Sequence, residues 1–218
     1  MTTKGQAVPE DAAPTTKPSL SAAAFVVHSR IRVLQEGALA NRGAQVAGLA
    51  RLRRAAGKRP GEITDIFEHT TAAEFTPRSE DRASDEPTAQ ETAAHIALTL
   101  YATHQQSQSE RMHQLGPGMG KALRQLLPDG LPEEKIHPVQ RRFQALGGVD
   151  DVHALAVQLR GLVQLLRAQH ICLDYAQLTD ELIRWQSDPL GPSKVRLRWG
   201  RDFYRATPKK APTASAQA

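Results

Sequence analysis

The stretch Asp151-Val-His-Ala-Leu-Ala-Val-Gln-Leu-Arg-Gly-Leu-Val-Gln-Leu-Leu-Arg-Ala-Gln169 decides the fold class of this chain. Leu155, Leu159, Leu162, Val163 and Leu166 return every three or four residues, the interval that brings side chains to one face of a helix. Asp150 or Asp151 can cap the first turn, because a short carboxylate accepts a hydrogen bond from a free amide there. The spacing therefore predicts a helix over 152–169, with His153, Arg160 and Arg167 nearly aligned on its opposite side. The same period recurs wherever the chain is apolar, while alternating runs bounded by turn residues are scarce. The expected fold is an all-α helical bundle.

Working outward, Asp174 reads as the cap of a helix packed through Tyr175, Leu178, Leu182 and Trp185, and Pro189-Leu-Gly-Pro192 introduces a terminal helix. Pro138 suits the first turn of a helix over 139–146, which Gly147-Gly148 ends. Gly116-Pro-Gly-Met-Gly120 is a turn feeding a short helix through Leu127, and Pro128-Asp-Gly-Leu-Pro132 breaks the chain again. Thr88 and Glu91 have capping-box spacing and open a helix through Ala93, Ile96, Ala97 and Leu100 towards Gln106. A first helix is expected over 22–36. A second follows Asn41, turns Val46, Leu49, Leu52 and Ala56 inward, and ends before Gly57. A short helical stretch lies around 63–75. Residues 1–18 and 207–218 have the Pro, Ala, Thr and Ser content of disordered tails, and 76–87 reads as an acidic loop. A boundary near Gly116 separates an N-terminal helical subdomain, 19–115, from a C-terminal helical bundle, 116–206.

The chain has 218 residues and a formal charge of +5, which favours an anionic partner. Distribution says more than the total. Between Gly37 and Gly61 the charged residues are Arg42, Arg51, Arg53, Arg54, Lys58 and Arg59, with no acid among them, whereas 62–91 is strongly acidic. Arg51, Arg54 and Lys58 point away from the apolar arc of the second helix, and Arg53 projects beside Val46. Cys172, between Ile171 and Leu173, is expected to be a small buried thiol, and a single cysteine allows no disulfide within the chain. No apolar run approaches the ~20 residues needed to span a bilayer, and the N-terminus lacks the apolar core of a signal peptide. A cytoplasmic setting without membrane contact is expected.

Catalytic signatures are absent from the pattern. A P-loop would need Gly at the position of Leu115 and Ser or Thr at that of Ala122, so Gly120-Lys121 does not form one. The glycines instead suit a close meeting of two helices, with Lys121 and Arg124 exposed on the second. The histidines lie in no HExxH or carboxylate-rich box, and they read as surface or core polar groups rather than metal ligands. No nucleophile stands in a recognisable catalytic setting. No enzyme activity, metal or cofactor is expected.

The terminal helix carries the clearest charge pattern. At ~100° per residue, Lys194, Arg198, Arg201 and Arg205 fall within about 60° of one another, while Val195, Trp199 and Phe203 face another side. Cations one turn apart can follow a polyphosphate backbone, and displaced counterions drive such binding. The ordinary alternative is a solvated face that Asp202 partly neutralises. Trp199, Phe203 and Phe143 sit where packing claims them, so no base-stacking platform is expected.

An ordered series of blocks runs along the chain: Leu49-Ala-Arg-Leu-Arg-Arg54, Leu98-Thr-Leu-Tyr-Ala-Thr-His-Gln-Gln106, Met112-His-Gln-Leu-Gly-Pro-Gly-Met-Gly-Lys121, Arg141-Arg-Phe143, Leu159–Arg167, Leu173-Asp-Tyr-Ala176 and Trp199-Gly-Arg-Asp-Phe-Tyr204. From Phe25 to Arg205 this series resembles the CasB family, the small subunit of type I-E CRISPR Cascade complexes. The resemblance implies an all-helical, non-enzymatic subunit present as two copies among the other Cascade subunits. It further implies contact with guide RNA and with target DNA, above all the displaced strand, and stabilisation of the R-loop. Arg51, Arg54 and Lys58 match the family's basic N-terminal helix, Lys121 follows its Gly-rich turn, and Arg141 and Arg142 match its Arg-Arg-Phe block. Together with Arg53, Arg124, Arg160, Arg167, Lys194, Arg198, Arg201 and Arg205 they form the candidate nucleic-acid-binding set. Two rivals stand beside this reading: a DNA-binding transcriptional regulator placing one basic helix in a major groove, and a scaffold whose basic ridge meets an acidic protein.

Overall fold

In the computed structural model, residues 20–75, 85–128 and 137–205 are described. The expected tails, most of the acidic loop and the segment after Pro128 lie outside them. Nine α-helices occur among the described residues: α1 (Ala22–Leu39), α2 (Gly43–Arg54), α3 (Phe67–Thr70), α4 (Ala89–His104), α5 (Met119–Arg124), α6 (Pro138–Ala145), α7 (Val152–Ala168), α8 (Tyr175–Ser187) and α9 (Gly191–Tyr204). Short 3-10 turns precede α3 and follow α6. The one β-type feature among these residues is an isolated parallel bridge between His113 and Leu173.

Local chemistry accounts for most helix ends. Thr88 Oγ1 accepts from the Glu91 amide at 3.1 Å and Glu91 Oε2 from the Thr88 amide at 2.9 Å, so two free amides are satisfied reciprocally. Asp151 and Asp174 cap α7 and α8 through carboxylate contacts to Ala154 N and Gln177 N. Helix α1 runs on to Leu39, past its expected end, because Asn41 supplies the left-handed residue (φ 53°). The Arg42 amide then donates to Gly37 O at 2.8 Å and the Asn41 amide to Ala38 O at 2.9 Å, a Schellman closure. His170 closes α7 in the same way.

Helix α4 is the axis of the bundle. It packs against α8, α7, α2, α1 and α3, and every residue from Thr92 to His104 is buried, not only the face at 93, 96, 97 and 100. Alanines at 93, 94, 97 and 102 let neighbours approach from all sides. Thr99 and Thr103 return their hydroxyls to the carbonyls of His95 and Thr99, so burial leaves neither unsatisfied. The predicted core face of α7 is buried in full, as are Tyr175, Leu178, Leu182, Trp185, Val195, Trp199 and Phe203.

Three packing expectations are corrected. On α2 the buried stripe is Gly48, Leu49, Leu52 and Ala55, while Val46 is 43 % exposed and Ala56 half-buried. A Cβ at Gly48 would lie 3.3 Å from Leu34 of α1 and 2.9 Å from the His69 ring, so the close approach at this glycine sets which face turns inward. Cys172 is half-exposed, its Sγ 3.0 Å from Arg111 O. It precedes buried Leu173 in an extended segment, where successive side chains point to opposite sides. Helices α5 and α7 end at Arg124 and Ala168, slightly short of their expected ends.

The segment 111–118 is stitched down from two directions. Leu173 N donates to Met112 O, Gln114 N to Leu173 O, Asp174 N to Pro117 O and Gly116 N to the Asp174 carboxylate. From α1, Gln35 Oε1 accepts from His113 N at 2.9 Å while its Nε2 donates to His113 O at 3.3 Å. The turn that launches α5 is thereby fixed against α8, and α5 against α9. A Cβ on Gly120 would overlap the Trp199 carbonyl oxygen, so the two helices touch backbone to backbone there.

Candidate nucleic-acid interface

The N-terminal basic stretch is met by its own acids. Arg51 pairs with Glu68, Arg54 with Asp65 at 3.1 Å and Lys58 with Glu62 at 3.8 Å. The segment 62–68, folding back along α2, supplies all three carboxylates. Arg53 is half-buried and has no ion pair among the described residues. The aligned arginines of α7 also have local partners. Arg160 Nη1 donates to Ala56 O at 3.3 Å, just past the end of α2, and Arg167 Nη1 to Gln106 Oε1 at 3.0 Å and Thr103 O at 3.5 Å at the end of α4. Both guanidinium groups therefore stand at carbonyl-rich helix ends, where positive charge is favoured.

The opposite end of the chain is different. Helices α5 and α6 both pack on the last turns of α9: α5 through Gly120 on Trp199, and α6 through Phe143, which stacks on Phe203 at 4.4 Å with 20° between the rings. Lys121, Arg141, Arg142, Arg201 and Arg205 are exposed on these elements, Arg124 is half-buried, and none has an ion pair among the described residues. Arg205 lies just beyond the helix in extended conformation (φ −64°, ψ 123°), so the ridge on α9 ends one residue earlier than its wheel suggests. Lys194 is tied to Asp188 at 2.6 Å.

Arg198 approaches a buried carboxylate. Glu181 of α8, 2 % exposed, lies 3.6 Å from Arg198 Nε and accepts from Trp199 Nε1 at 2.7 Å and from Gln177 Nε2 at 2.8 Å. Burial pushes its carboxyl up to about 7, although the Trp199 and Gln177 hydrogen bonds and the Arg198 charge pull the other way. A Cβ on Gly118 would overlap the Gln177 side chain, so this cluster also seats the turn before α5.

Two histidines, His104 and His113, are held inside the bundle. His104 Nδ1 lies 3.0 Å from Tyr175 Oη, and burial pushes the ring down to about 3, so it is neutral. His113, also lowered by burial, contacts His28 Nδ1 at 2.8 Å. Among the described residues no group of three His, Cys, Asp or Glu is placed to hold a metal, and no helix is long and apolar enough to cross a membrane.

Sequence reasoning missed three groups here. Glu181 lies about 60° from Leu178 on the helical wheel, inside the inward arc, but its charge disguises its burial. Arg196 is held by Val149 O at 2.8 Å and Asp150 Oδ1 at 3.0 Å, with its guanidinium over the Trp185 ring. Tyr204 is exposed beside the basic cluster. Its wheel position, about 140° from Trp199, was the available signal.

Comparison with known proteins gives a consistent result. The model of the family described as CRISPR-associated protein Cse2 matches residues 48–204. The chain is similar to the crystal structure of CasB from Thermobifida fusca, with 41 % identity, 86 % of this chain and 100 % of that chain covered, and a TM-score of 0.69. It is also similar to a Cse2-family CRISPR-associated protein from Thermus thermophilus, with 25 % identity, 85 % and 99 % coverage, and a TM-score of 0.57. A crystal structure of CasB from Thermus thermophilus, at 24 % identity, 85 % and 99 % coverage and a TM-score of 0.58, shares the fold. No curated protein sequence matches the chain.

Proposed function

We propose a function from one premise: this chain belongs to the CRISPR-associated Cse2 (CasB) family. It acts as a non-catalytic small subunit of a Cascade-type complex that binds nucleic acid through its backbone and stabilises the R-loop, chiefly by holding the displaced strand. Its partners are the other Cascade subunits, a second copy of itself, guide RNA and target DNA. The observation that carries this reading is the group of cations on α5, α6 and the end of α9 that have no ion pair among the described residues. Six basic side chains on three packed elements, with no carboxylate paired to them among the described residues, offer the delocalised positive surface that releases counterions from a phosphate backbone. R-loop formation exchanges one duplex for another of similar stability, so contacts of this modest kind tip the balance without reading bases.

Arg51, Arg53, Arg54, Lys58, Arg160, Arg167, Lys194 and Arg198 serve as a second tier. For all but Arg53, a strand must compete with a local carboxylate or carbonyl. Exposed ion pairs contribute little, so a polyanion can exchange into them at small cost.

The test is binding of unrelated single and double strands over a salt series, by the full chain and by a variant carrying Lys121→Glu, Arg141→Glu, Arg142→Glu and Arg201→Glu. Wild type should bind all strands weakly and with a steep salt slope; the variant should lose most of both and still join the complex. A preference for one sequence that survives high salt would instead identify a regulator. Intact strand binding by the variant, together with failure to assemble, would assign the cluster to a protein interface.

A further inference from the structure

We propose that Tyr204 is a base-stacking residue, so that the cationic end of the molecule favours a single strand with unpaired bases over a duplex. The inference rests on the nucleic-acid reading of that face and adds what the cations alone cannot supply, a distinction between strands with and without free bases. Tyr204 closes α9 and is 44 % exposed. Its ring stands at 88° to Phe203, with centroids 5.0 Å apart, and at 68° to Phe143 at 6.3 Å. Those two phenylalanines are buried and stacked on each other. The ring is therefore braced by aromatic neighbours while much of its surface faces solvent, so little side-chain freedom is lost when a base settles on it.

The surroundings match a strand. Arg201 precedes Tyr204 by one turn, Arg205 follows it and Arg142 adjoins Phe143; all three are exposed and without ion pairs among the described residues. An aromatic face set among cations that track phosphates is the arrangement by which single strands are held without sequence preference. A base paired within a duplex presents no free face to such a ring. Leu197 lies two turns earlier on the same flank and is also exposed. An aliphatic seam would suit a protein helix, but exposed arginines on the same elements, without ion pairs among the described residues, favour a phosphate-bearing partner.

The experiment uses the full chain and three labelled probes at low salt: an oligothymidylate, a strand of equal length whose residues are abasic, and a duplex. Tyr204→Ala should weaken the oligothymidylate by about tenfold, leave the other two within about twofold of wild type, and leave the salt slope unchanged. Tyr204→Phe and Tyr204→Trp, which keep an aromatic face, should bind as wild type does. Equal loss on the abasic strand, or no loss on the oligothymidylate, overturns the stacking role. Wild type binding the probes with no effect of Tyr204→Ala sinks this inference alone, whereas wild type binding none of them sinks the nucleic-acid reading itself. Unchanged strand binding with lost capture of companion Cascade subunits would assign the flank to a protein contact and overturn the proposal.

Discussion

Helix α2 and the α5–α6–α9 end present comparable runs of arginine and lysine in very different electrostatic states. Beside α2 the chain turns back through 62–68 and places a carboxylate on each of Arg51, Arg54 and Lys58. At the other end six basic groups stand on α5, α6 and the end of α9, which pack together, and no acid among the described residues is paired with them. In the first region Arg51, Arg54 and Lys58 are already held by neighbouring acids; the second has charge to offer a partner. A count of basic residues along a sequence measures charge, whereas its availability depends on which acidic segment folds against it.

The largest expected effect separates packing from charge within α2. Leu52→Ala, at a fully buried position beside Arg51 and Arg53, should destabilise by roughly 2–5 kcal/mol in denaturant melts, while the strand affinity of the folded fraction stays near wild type. A fall in affinity larger than the loss of folded protein would break the proposed division between the two ends.

The second test concerns a buried acid beside the cationic end. The Glu181 carboxyl is raised from 4.5 to about 7. Its contribution to stability is therefore fully present below about pH 4.5 and is lost as pH rises through 7, by on the order of 3 kcal/mol. Buried His104, lowered from 6.5 to about 3, acts in the opposite sense and loses stability as pH falls below 6.5. The quantity to measure is the difference between wild type and Glu181→Gln. The variant should gain relative stability between pH 5 and 8, and an unchanged difference across that range would refute the burial-driven shift.

Smaller effects probe the cations themselves. Arg141→Glu with Arg142→Glu should weaken oligonucleotide binding by about tenfold and flatten the salt slope, with melting unchanged, because exposed substitutions alter stability by about 0.5 kcal/mol or less. Smallest of all, Asp65→Asn with Glu68→Gln should release Arg54 and Arg51 and strengthen binding by about two- to threefold, the size of an exposed ion pair. If the second pair of changes matched the first in magnitude, the contrast between neutralised and available charge would be wrong.

Much of this architecture was legible before any coordinates. The capping box at Thr88 and Glu91, the leucine face of α7 and the buried row Val195–Trp199–Phe203 follow from spacing alone, since each is decided within a few turns of chain. The close contact at Gly120 was also foreseeable from a glycine-rich turn. The state of the cations was not. The partners of Arg54 and Arg51 lie 11 and 17 residues further on, past a turn whose direction no periodicity encodes. Glu181 and Tyr204 were missed for complementary reasons: a charged residue was drawn into a helix–helix seam and an aromatic one was left outside it. In the first case the placement of α8 against α9 overrides side-chain character; in the second the ring ends α9 beside Phe143 of α6.

The amide of Gln35 lies against the backbone of His113 as a neighbouring strand would, giving and receiving one hydrogen bond across 78 residues of sequence. The His113 N–H can therefore meet solvent deuterium only when α1 parts from the segment that launches α5. Although it belongs to no helix, its exchange should be as slow as that of the core of α4, which makes this one loop proton a clock for the opening of the whole bundle.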